Sequence, residues 1–160
     1  MQLFILLLCL VPAILFILTQ QNTLKEIRPE NRELSPGLVW LQFIPLFNLY
    51  WIFVVVTRIA DAISKENISF QDDSILGIVD YDAVEAVGKR PTYKIGMAWC
   101  ILSLVYFFLI YSVRIFRVPA EGTTLYSTAI LLVALGMTIC WIIYWVKLAA
   151  NKRKLMYLHA

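Results

Sequence analysis

The stretch from Leu125 to Val146 reads LYSTAILLVALGMTICWIIYWV and decides the fold class. Its 22 residues include no Asp, Glu, Lys, Arg or His. As a helix rising about 1.5 Å per residue they extend about 33 Å, slightly more than the roughly 30 Å hydrocarbon core of a bilayer. A helix also satisfies its own backbone hydrogen bonds where lipid offers none. The stretch therefore predicts a transmembrane helix.

The composition of the whole chain places it among membrane proteins. Of its 160 residues, 61% are hydrophobic and 16% are charged, whereas soluble domains are about 45–50% apolar and about 25% charged. A chain of this length cannot bury so much apolar surface away from water. A soluble globule and a disordered chain are therefore excluded, and three cysteines are too few for a disulfide scaffold.

Three more stretches, residues 3–19, 38–56 and 95–113, also lack charged side chains and histidine. The sequence thus predicts an all-α integral membrane protein with four transmembrane helices in a single domain. Their ranges are about 3–19, 38–56, 95–113 and 125–146, and the second helix continues to about residue 66. A cleaved secretory signal is the alternative for the first stretch. No basic residue precedes it and no small residues mark a cleavage site, so we expect the helix to be retained.

The basic residues predict how the chain is threaded. With four crossings, the loop 57–94 and the tail 147–160 lie on the same side as the N-terminus, and residues 20–37 and 114–124 lie on the other. The first side carries nine Lys and Arg and the second carries five, so both termini are predicted to be cytoplasmic. In the cytoplasmic loop, Asp82 and Glu85 form a capping-box pattern before Gly88, which predicts a short helix at about residues 83–87.

Pro45 lies inside the second predicted helix, between Gln42 and Asn48. Proline removes a backbone donor and leaves the carbonyl near Leu41 without its usual partner. We therefore expect a kink, with Gln42 or Asn48 as the group that satisfies the carbonyl. One interpretation of Gln42, Pro45 and Asn48 is a ligand or ion position. The interpretation we prefer is a kink stabilised by interhelical hydrogen bonds, which contribute below about 2 kcal/mol each.

Arg58 and Asp61 follow on the continuation of this helix, at a spacing that places them on one flank with Lys65. A solvated helix end is the default interpretation, and a phosphate-binding site is the alternative. The acidic residues of the loop do not follow the alternating pattern of a calcium-binding loop. The three cysteines fall within predicted crossings, where they act as small hydrophobic residues, and we expect neither a metal site nor a cofactor.

Two sets of residues are expected at the membrane surface. Amphipathic rings near the ends of membrane helices prefer the headgroup level, and the predicted interface anchors are Trp40, Trp51, Trp99 and Trp145. An aromatic substrate cage is the alternative for these rings. Basic side chains attract anionic headgroups, and the predicted headgroup contacts are Lys147, Lys152, Arg153 and Lys154.

The residues from Ser35 to Glu66, SPGLVWLQFIPLFNLYWIFVVVTRIADAISKE, carry a resemblance. Their W-x-x-x-x-P-x-x-N core, here Trp40, Pro45 and Asn48, resembles a group of small bacterial multi-pass membrane proteins whose function is uncharacterised. The later stretches GKRPTYKIGMAWCILSLV and IIYWVKLAANKRKL are similar to the same group. The resemblance implies a protein of the bacterial inner membrane and supplies no activity and no residue roles.

The uncharged crossings bear on function. Coupled transporters and intramembrane enzymes need acids, bases or charged pairs at depth, so we expect a non-enzymatic structural, scaffolding or accessory protein. The expected partners are the lipid bilayer and another membrane protein or a second copy of this chain, with no nucleic acid. The main alternative is a small transporter or channel that oligomerises around the Pro45–Asn48 kink. A weaker alternative is a membrane-surface enzyme that uses Arg58, Asp61 and the loop acids on a lipid headgroup.

Overall fold

The fold is built from helices alone throughout the residues that the structure describes. This computed structural model describes the backbone of residues 2–73, 90–116 and 123–158, and the side chains of residues 10–70, 90–112 and 124–157. The long helices are α1 (Gln2–Glu26), α2 (Phe47–Asp73), α3 (Tyr93–Phe116) and α4 (Thr123–Leu158). Two 3-10 helices, Pro29–Asn31 and Pro36–Phe43, lie between α1 and α2. The predicted short helix at 83–87 and the acids around it lie outside the described residues.

Among the residues whose side chains the structure describes, three helices are long and apolar enough to cross a membrane: Phe47–Phe70 of α2, Tyr93–Ser112 of α3 and Thr124–Tyr157 of α4. This confirms the prediction of an all-helical membrane protein. The predicted helices at 95–113 and 125–146 lie within α3 and α4, and the one at 3–19 lies within α1.

The predicted helix at 38–56 is wrong as a single element. Residues Pro36–Phe43 form a 3-10 helix, and α2 begins only at Phe47. The cause is Pro45, because a residue that precedes proline is disfavoured in the helical region. Ile44 accordingly adopts an extended conformation with ψ 113°, and Leu46 has a φ of 64°. The expected kink is therefore a complete interruption, and α2 runs past the predicted end near residue 66 to Asp73.

The chain reverses direction at this interruption and forms a hairpin, which we define as residues 36–58 with its tip at residues 44–46. The first arm runs back along α1, since Trp40 donates to Gln21 at 3.2 Å and Gln42 to Gln20 at 2.6 Å. The second arm returns beside the first, and the Trp51 indole donates to the Leu38 carbonyl at 2.9 Å. Each arm is about 15 Å long by the rise of its helix.

The hairpin brings two segments together that the sequence placed on opposite sides. Glu33, from the predicted stretch 20–37, forms ion pairs with Arg58 and Lys65 of α2. Arg28 pairs in the same way with Glu66 at 3.2 Å. The predicted separation of residues 20–37 from residues 57–94 is therefore wrong, because residues 38–56 turn back instead of passing through the bundle. We call this region, where Arg28, Glu33, Arg58, Lys65, Glu66 and Arg90 lie, the charged end.

The tightly packed core lies beside the charged end. Gly96 of α3 is buried where it meets Val56 of α2 and Tyr144 of α4. Other fully buried core residues come from α1, from the residue that follows it, from α2 and from α4: Leu24, Ile27, Val55, Ile59, Ile63, Leu148 and Leu155. Farther from this end, α3 and α4 are largely exposed. Only 11% and 6% of the most apolar 18-residue stretches of α3 and α4 are buried, against 39% of that of α2. Surfaces of this kind are stable in lipid and not in water.

Substitution of Gly96 by alanine tests the packing of α2, α3 and α4. A Cβ atom at residue 96 would lie 2.5 Å from Cγ1 of Val56 and 2.9 Å from Cε2 of Tyr144, so a buried ring or a buried branched side chain has to move. Overpacking of this kind costs about 1–3 kcal/mol, and we expect Gly96→Ala to lower the thermal unfolding midpoint of the purified protein in detergent.

The matched control is Gly136→Ala in α4. Its Cβ would find only Cδ1 of Leu102 at 3.8 Å, an ordinary contact. This variant gains helix propensity without overpacking, so its unfolding midpoint should equal or exceed that of the parent. Equal midpoints for the two variants would contradict the close approach of the helices at Gly96.

Candidate functional site

A cleft of about 440 Å³ lies beside the tip of the hairpin, between α1, α3 and α4. Its volume is within the range of about 300–1,000 Å³ that is typical of small-molecule sites. The lining is apolar or aromatic except for four neutral polar residues. The lining residues are Ala13, Phe16, Ile17, Gln42, Phe43, Asn48, Ile52, Trp99, Ser103, Met137, Thr138 and Trp141.

Helical spacing explains how the walls are built. Residues three or four positions apart lie on one helix face, and each of α1, α3 and α4 contributes such a set to the lining. Phe16 of α1 fixes the walls against one another. Its ring meets Trp99 of α3 edge to face at a centroid distance of 5.4 Å and Trp141 of α4 at 5.6 Å. Such contacts favour a rigid and preformed aromatic pocket.

Most polar side chains of the cleft have partners within the protein. Gln42 donates to the Oε1 atom of Gln20 at 2.6 Å and to the Val39 carbonyl at 2.9 Å. The hydroxyls of Ser103 and Thr138 donate to backbone carbonyls one turn earlier in their own helices, both at 2.8 Å. These pairings leave the hydroxyl oxygens of Ser103 and Thr138 able to accept a further hydrogen bond.

Asn48 differs from the other polar residues of the lining. Its Oδ1 atom is buried and accepts no hydrogen bond from the described residues. A buried acceptor without a partner costs about 1–3 kcal/mol. The expected role of Asn48, or of Gln42, was to satisfy the carbonyl of Leu41, but that carbonyl accepts from the backbone N–H of Ile44 at 3.1 Å. The structure therefore places both side chains on the cleft wall, with Pro45 at the hairpin tip beside them.

The predicted flank of Arg58 and Asp61 is used for contacts between segments. Arg58 donates to Glu33 at 2.5 Å, and Lys65 pairs with the same carboxylate. Asp61 pairs with Arg90, which precedes α3, at 2.7 Å. These ion pairs connect the loop after α1, α2 and the residues before α3. Ion pairs between residues of α2 alone would not connect these segments.

Glu66 joins the same network from a fully buried position. Its Oε2 atom accepts from the backbone N–H of Arg28 at 3.2 Å and from the Asn31 amide at 2.6 Å. Charge-assisted hydrogen bonds of this kind offset the cost of removing a carboxylate from water. Sequence reasoning singled out neither Glu33 nor Glu66, because their partners are 25 to 38 residues away in the chain.

The predicted surface residues fall into two groups. Three of the anchors donate their indole N–H to protein: Trp40 to Gln21, Trp51 to the Leu38 carbonyl, and Trp145 to Thr19 at 2.9 Å. Trp99, the fourth, forms part of the cleft wall. The predicted headgroup contacts lie on the C-terminal turns of α4 at the charged end, exposed or half-buried; they are Lys147, Lys152, Arg153 and Lys154.

Sequence reasoning missed much of the cleft wall. Phe16, Trp141 and Thr138 lie within predicted crossings, where nothing in the local pattern separates a wall residue from one that faces lipid. Gln20 was assigned to a loop, although it is buried within α1 and pairs with Gln42. The one available signal was the small set of neutral polar residues inside the apolar stretches, of which Asn48 was selected.

The lining of the cleft contains no ionisable side chain. Among the described residues, no group of three or more His, Cys, Asp or Glu is arranged to hold a metal ion. The site can therefore enclose an uncharged molecule and orient it by hydrogen bonds. Comparison of the chain with protein-family models, curated proteins and solved structures finds no match.

The pH dependence of stability tests the ion pairs of Glu33. A hydrogen bond from Lys65, which has the largest effect, and a second one from Arg58 lower the pKa of the Glu33 carboxyl below its ordinary value of 4.5. A lowered pKa in the folded state stabilises the fold above pH 4.5, and this contribution is lost as the pH falls through the folded pKa. We expect Glu33→Gln to lower the unfolding midpoint at pH 7 by a few degrees, and we expect the difference from the parent to shrink below about pH 4.5.

Glu30→Gln is the control, since Glu30 lies in the same loop and is exposed. It should leave the midpoint unchanged at pH 7. A difference between Glu33→Gln and the parent that is constant from pH 7 to pH 3 would contradict a role for the ionised carboxylate.

Proposed function

We infer that this protein is a non-enzymatic component of the bacterial inner membrane, with a structural or accessory role in contact with another membrane protein or a second copy of itself. The observation that carries this proposal is the use of the charged side chains. Glu33, Asp61 and Glu66 each form an ion pair with a residue of another segment, all at the charged end. These charges hold the fold together, and the helices beyond them present neutral surfaces.

The hairpin supports a specific threading of the chain. Its arms of about 15 Å reach half of a hydrocarbon core that is about 30 Å thick. A re-entrant segment at that depth needs partners for its backbone polar groups, and at the tip the N–H groups of Ile44, Phe47 and Asn48 all donate to backbone carbonyls of the hairpin. Although α2 is also long and apolar enough to cross, from Arg58 onwards it carries four charged residues whose ion pairs lie at the charged end. We therefore propose three crossings, by α1, α3 and α4, with the hairpin entering and leaving on one side. This replaces the expectation of four crossings with both termini in the cytoplasm.

The distribution of basic residues supports the orientation. Twelve Lys and Arg residues lie in the described backbone, and eleven of them are at or near the charged end, whereas Arg114 lies near the opposite end. For the same twelve residues, four crossings would give a ratio of only eight to four. By the positive-inside rule the charged end and the C-terminus face the cytoplasm, and the N-terminus faces the other side.

Cysteine labelling tests this threading. In a background without the native cysteines, single cysteines replace Glu30 before the hairpin, Lys154 on the C-terminal turns and Thr124 at the start of α4. Because Glu30 and Lys154 lie at the charged end, a membrane-impermeant maleimide should label both from the cytoplasmic side and should label Thr124→Cys from the other side. With four crossings, Glu30→Cys would react together with Thr124→Cys, and that grouping would overturn the proposal.

Exposed apolar faces on α3 and α4 support the contact role. On α3, Ile101, Val105 and Phe108 follow one face, and their exposed fractions are 52%, 40% and 62%. On α4, Leu131 and Leu135 are exposed by 66% and 57%. In lipid these faces gain little from burial as such, so association there depends on close packing with another helix.

Photo-crosslinking in native membranes tests the contact. A photoreactive amino acid at Leu135 or Phe108 should give protein adducts of defined mass, which are either a dimer of this chain or a complex with one recurring partner. The control position is Cys100, which is fully buried and should give none. If Leu135 and Phe108 yield only the monomer and lipid adducts, the proposed contact role is lost.

The main alternative, a small transporter or channel that oligomerises around Pro45 and Asn48, has less support. The lining of the cleft contains no ionisable side chain, whereas coupled transporters need acids, bases or charged pairs at depth.

A further inference from the structure

We propose that the cleft beside the hairpin tip binds an uncharged lipid that carries a free hydroxyl group, with its chain between the aromatic walls and its hydroxyl on Asn48. The lipid class is a long-chain alcohol or an acylglycerol. The proposal goes beyond the structural role inferred above: the binding site rests on the cleft, and only the route of entry rests on the proposed threading.

The walls of the cleft select an apolar chain. Phe16, Trp99 and Trp141 present three large ring systems that are held by edge-to-face contacts, and Ile17 and Ile52 complete an aliphatic side. Removal of an alkyl chain from water is favourable by roughly 0.8 kcal/mol for each methylene group. In a membrane, lipid already surrounds the alkyl chain of the ligand. The preference of the ligand for this cleft therefore has to come from the shape of the cleft and from the polar group of Asn48.

The cleft opens towards the surface of the bundle at the hairpin tip. Phe43 belongs to the lining and is itself 42% exposed, and the neighbouring Ile44 and Leu46 are exposed by 48% and 72%. An exposed apolar rim of this kind is suited to lipid. In the proposed threading the tip lies about halfway through the hydrocarbon core, so a lipid enters sideways from the bilayer without crossing water.

Asn48 selects the polar group of the ligand. Its buried Oδ1 atom accepts no hydrogen bond from the part of the chain that the structure describes, and a carboxamide offers one acceptor and two donors. A hydroxyl both donates and accepts, so it pairs with the carboxamide in either orientation of the amide. The Ser103 and Thr138 oxygens, whose protons are used within their own helices, provide two more acceptors in the same cleft.

The absence of charge in the lining keeps charged lipid groups out of the cleft. None of the twelve lining residues is ionisable. The charged side chains of the charged end form ion pairs with one another. A buried carboxylate or phosphate without a counter-charge is strongly disfavoured. A fatty acid or a phospholipid would therefore have to keep its charged group outside the cleft, whereas an uncharged hydroxyl group can enter it.

Fluorescence quenching of the purified full-length protein in detergent tests the proposal. Bromine atoms on an acyl chain quench a tryptophan that they contact, so Trp99 and Trp141 report on the cleft. Three probes with the same dibrominated chain are compared: a monoacylglycerol, the fatty acid methyl ester, which has no hydroxyl, and a phosphatidylcholine. We expect saturable quenching by the monoacylglycerol at a concentration about tenfold lower than for the methyl ester, because a buried hydrogen bond is lost.

Two sets of variants locate the effect. In Asn48→Leu, which keeps the number and branching of the side-chain heavy atoms and removes the carboxamide, the monoacylglycerol and the methyl ester should saturate at the same concentration. A second variant, Asn48→Ala, repeats the measurement if leucine disturbs the fold. The double variant Trp99→Phe with Trp141→Phe should lose the saturable component, while its unfolding midpoint shows that the protein is folded.

Three outcomes would overturn the proposal. Equal affinities of the parent for the monoacylglycerol and the methyl ester would show that no hydroxyl is recognised. Saturable binding of phosphatidylcholine at the same concentration would show an ordinary bilayer lipid in the cleft. An unchanged preference for the monoacylglycerol in both Asn48 variants would place the hydroxyl elsewhere. None of these outcomes bears on the threading or on the contact role, which the labelling and crosslinking experiments test separately.

Discussion

The reversal of the chain at Ile44, Pro45 and Leu46 is the constraint on which the rest of the structure depends. Proline excludes the helical conformation from the residue before it, and Leu46 then adopts a left-handed conformation that costs about 1–2 kcal/mol for an L-residue with a side chain. In return the 3-10 arm packs on α1, and α2 returns to the charged end. The cleft exists because the tip of this hairpin stops beside α3 and α4 instead of continuing as a helix past them.

The same reversal accounts for the placement of charge. Because α2 returns to the end it came from, Glu33 meets Arg58, and Glu66 meets Arg28 and Asn31. Each contact joins residues at least 25 positions apart. Together the contacts connect the segment that leads into the hairpin with the part of α2 that leaves it. A continuous helix over residues 38–56 would place Glu33 and Arg58 at opposite ends of the bundle, where they could not pair with each other.

The sequence predicts those parts of the fold that depend on composition along one helix. The uncharged runs of α3 and α4 are long enough to identify both helices, the two ends of α3 and the start of α4 within a few residues, whereas α4 continues through the basic tail to Leu158, twelve residues past its predicted end. The run over 38–56 has the same composition, but its conformation depends on Pro45 and on packing against α1, which a count of apolar residues does not register. The prediction of four crossings counted residues 38–56 as one continuous helix, and it is this element that the structure divides.

The candidate site shows the same division between local and distant information. Gln42 and Asn48 stand out in the sequence because neutral polar side chains are rare in an apolar run, whereas Phe16 and Trp141 look like any membrane residue until the helices are packed. An unpaired Asn48 oxygen lowers stability, and a valine or leucine there would remove that cost. The fold therefore holds a polar atom at the position where the hairpin, α1, α3 and α4 leave space. The pairing of an unsatisfied acceptor with an uncharged cavity is the arrangement expected of a site that a ligand completes.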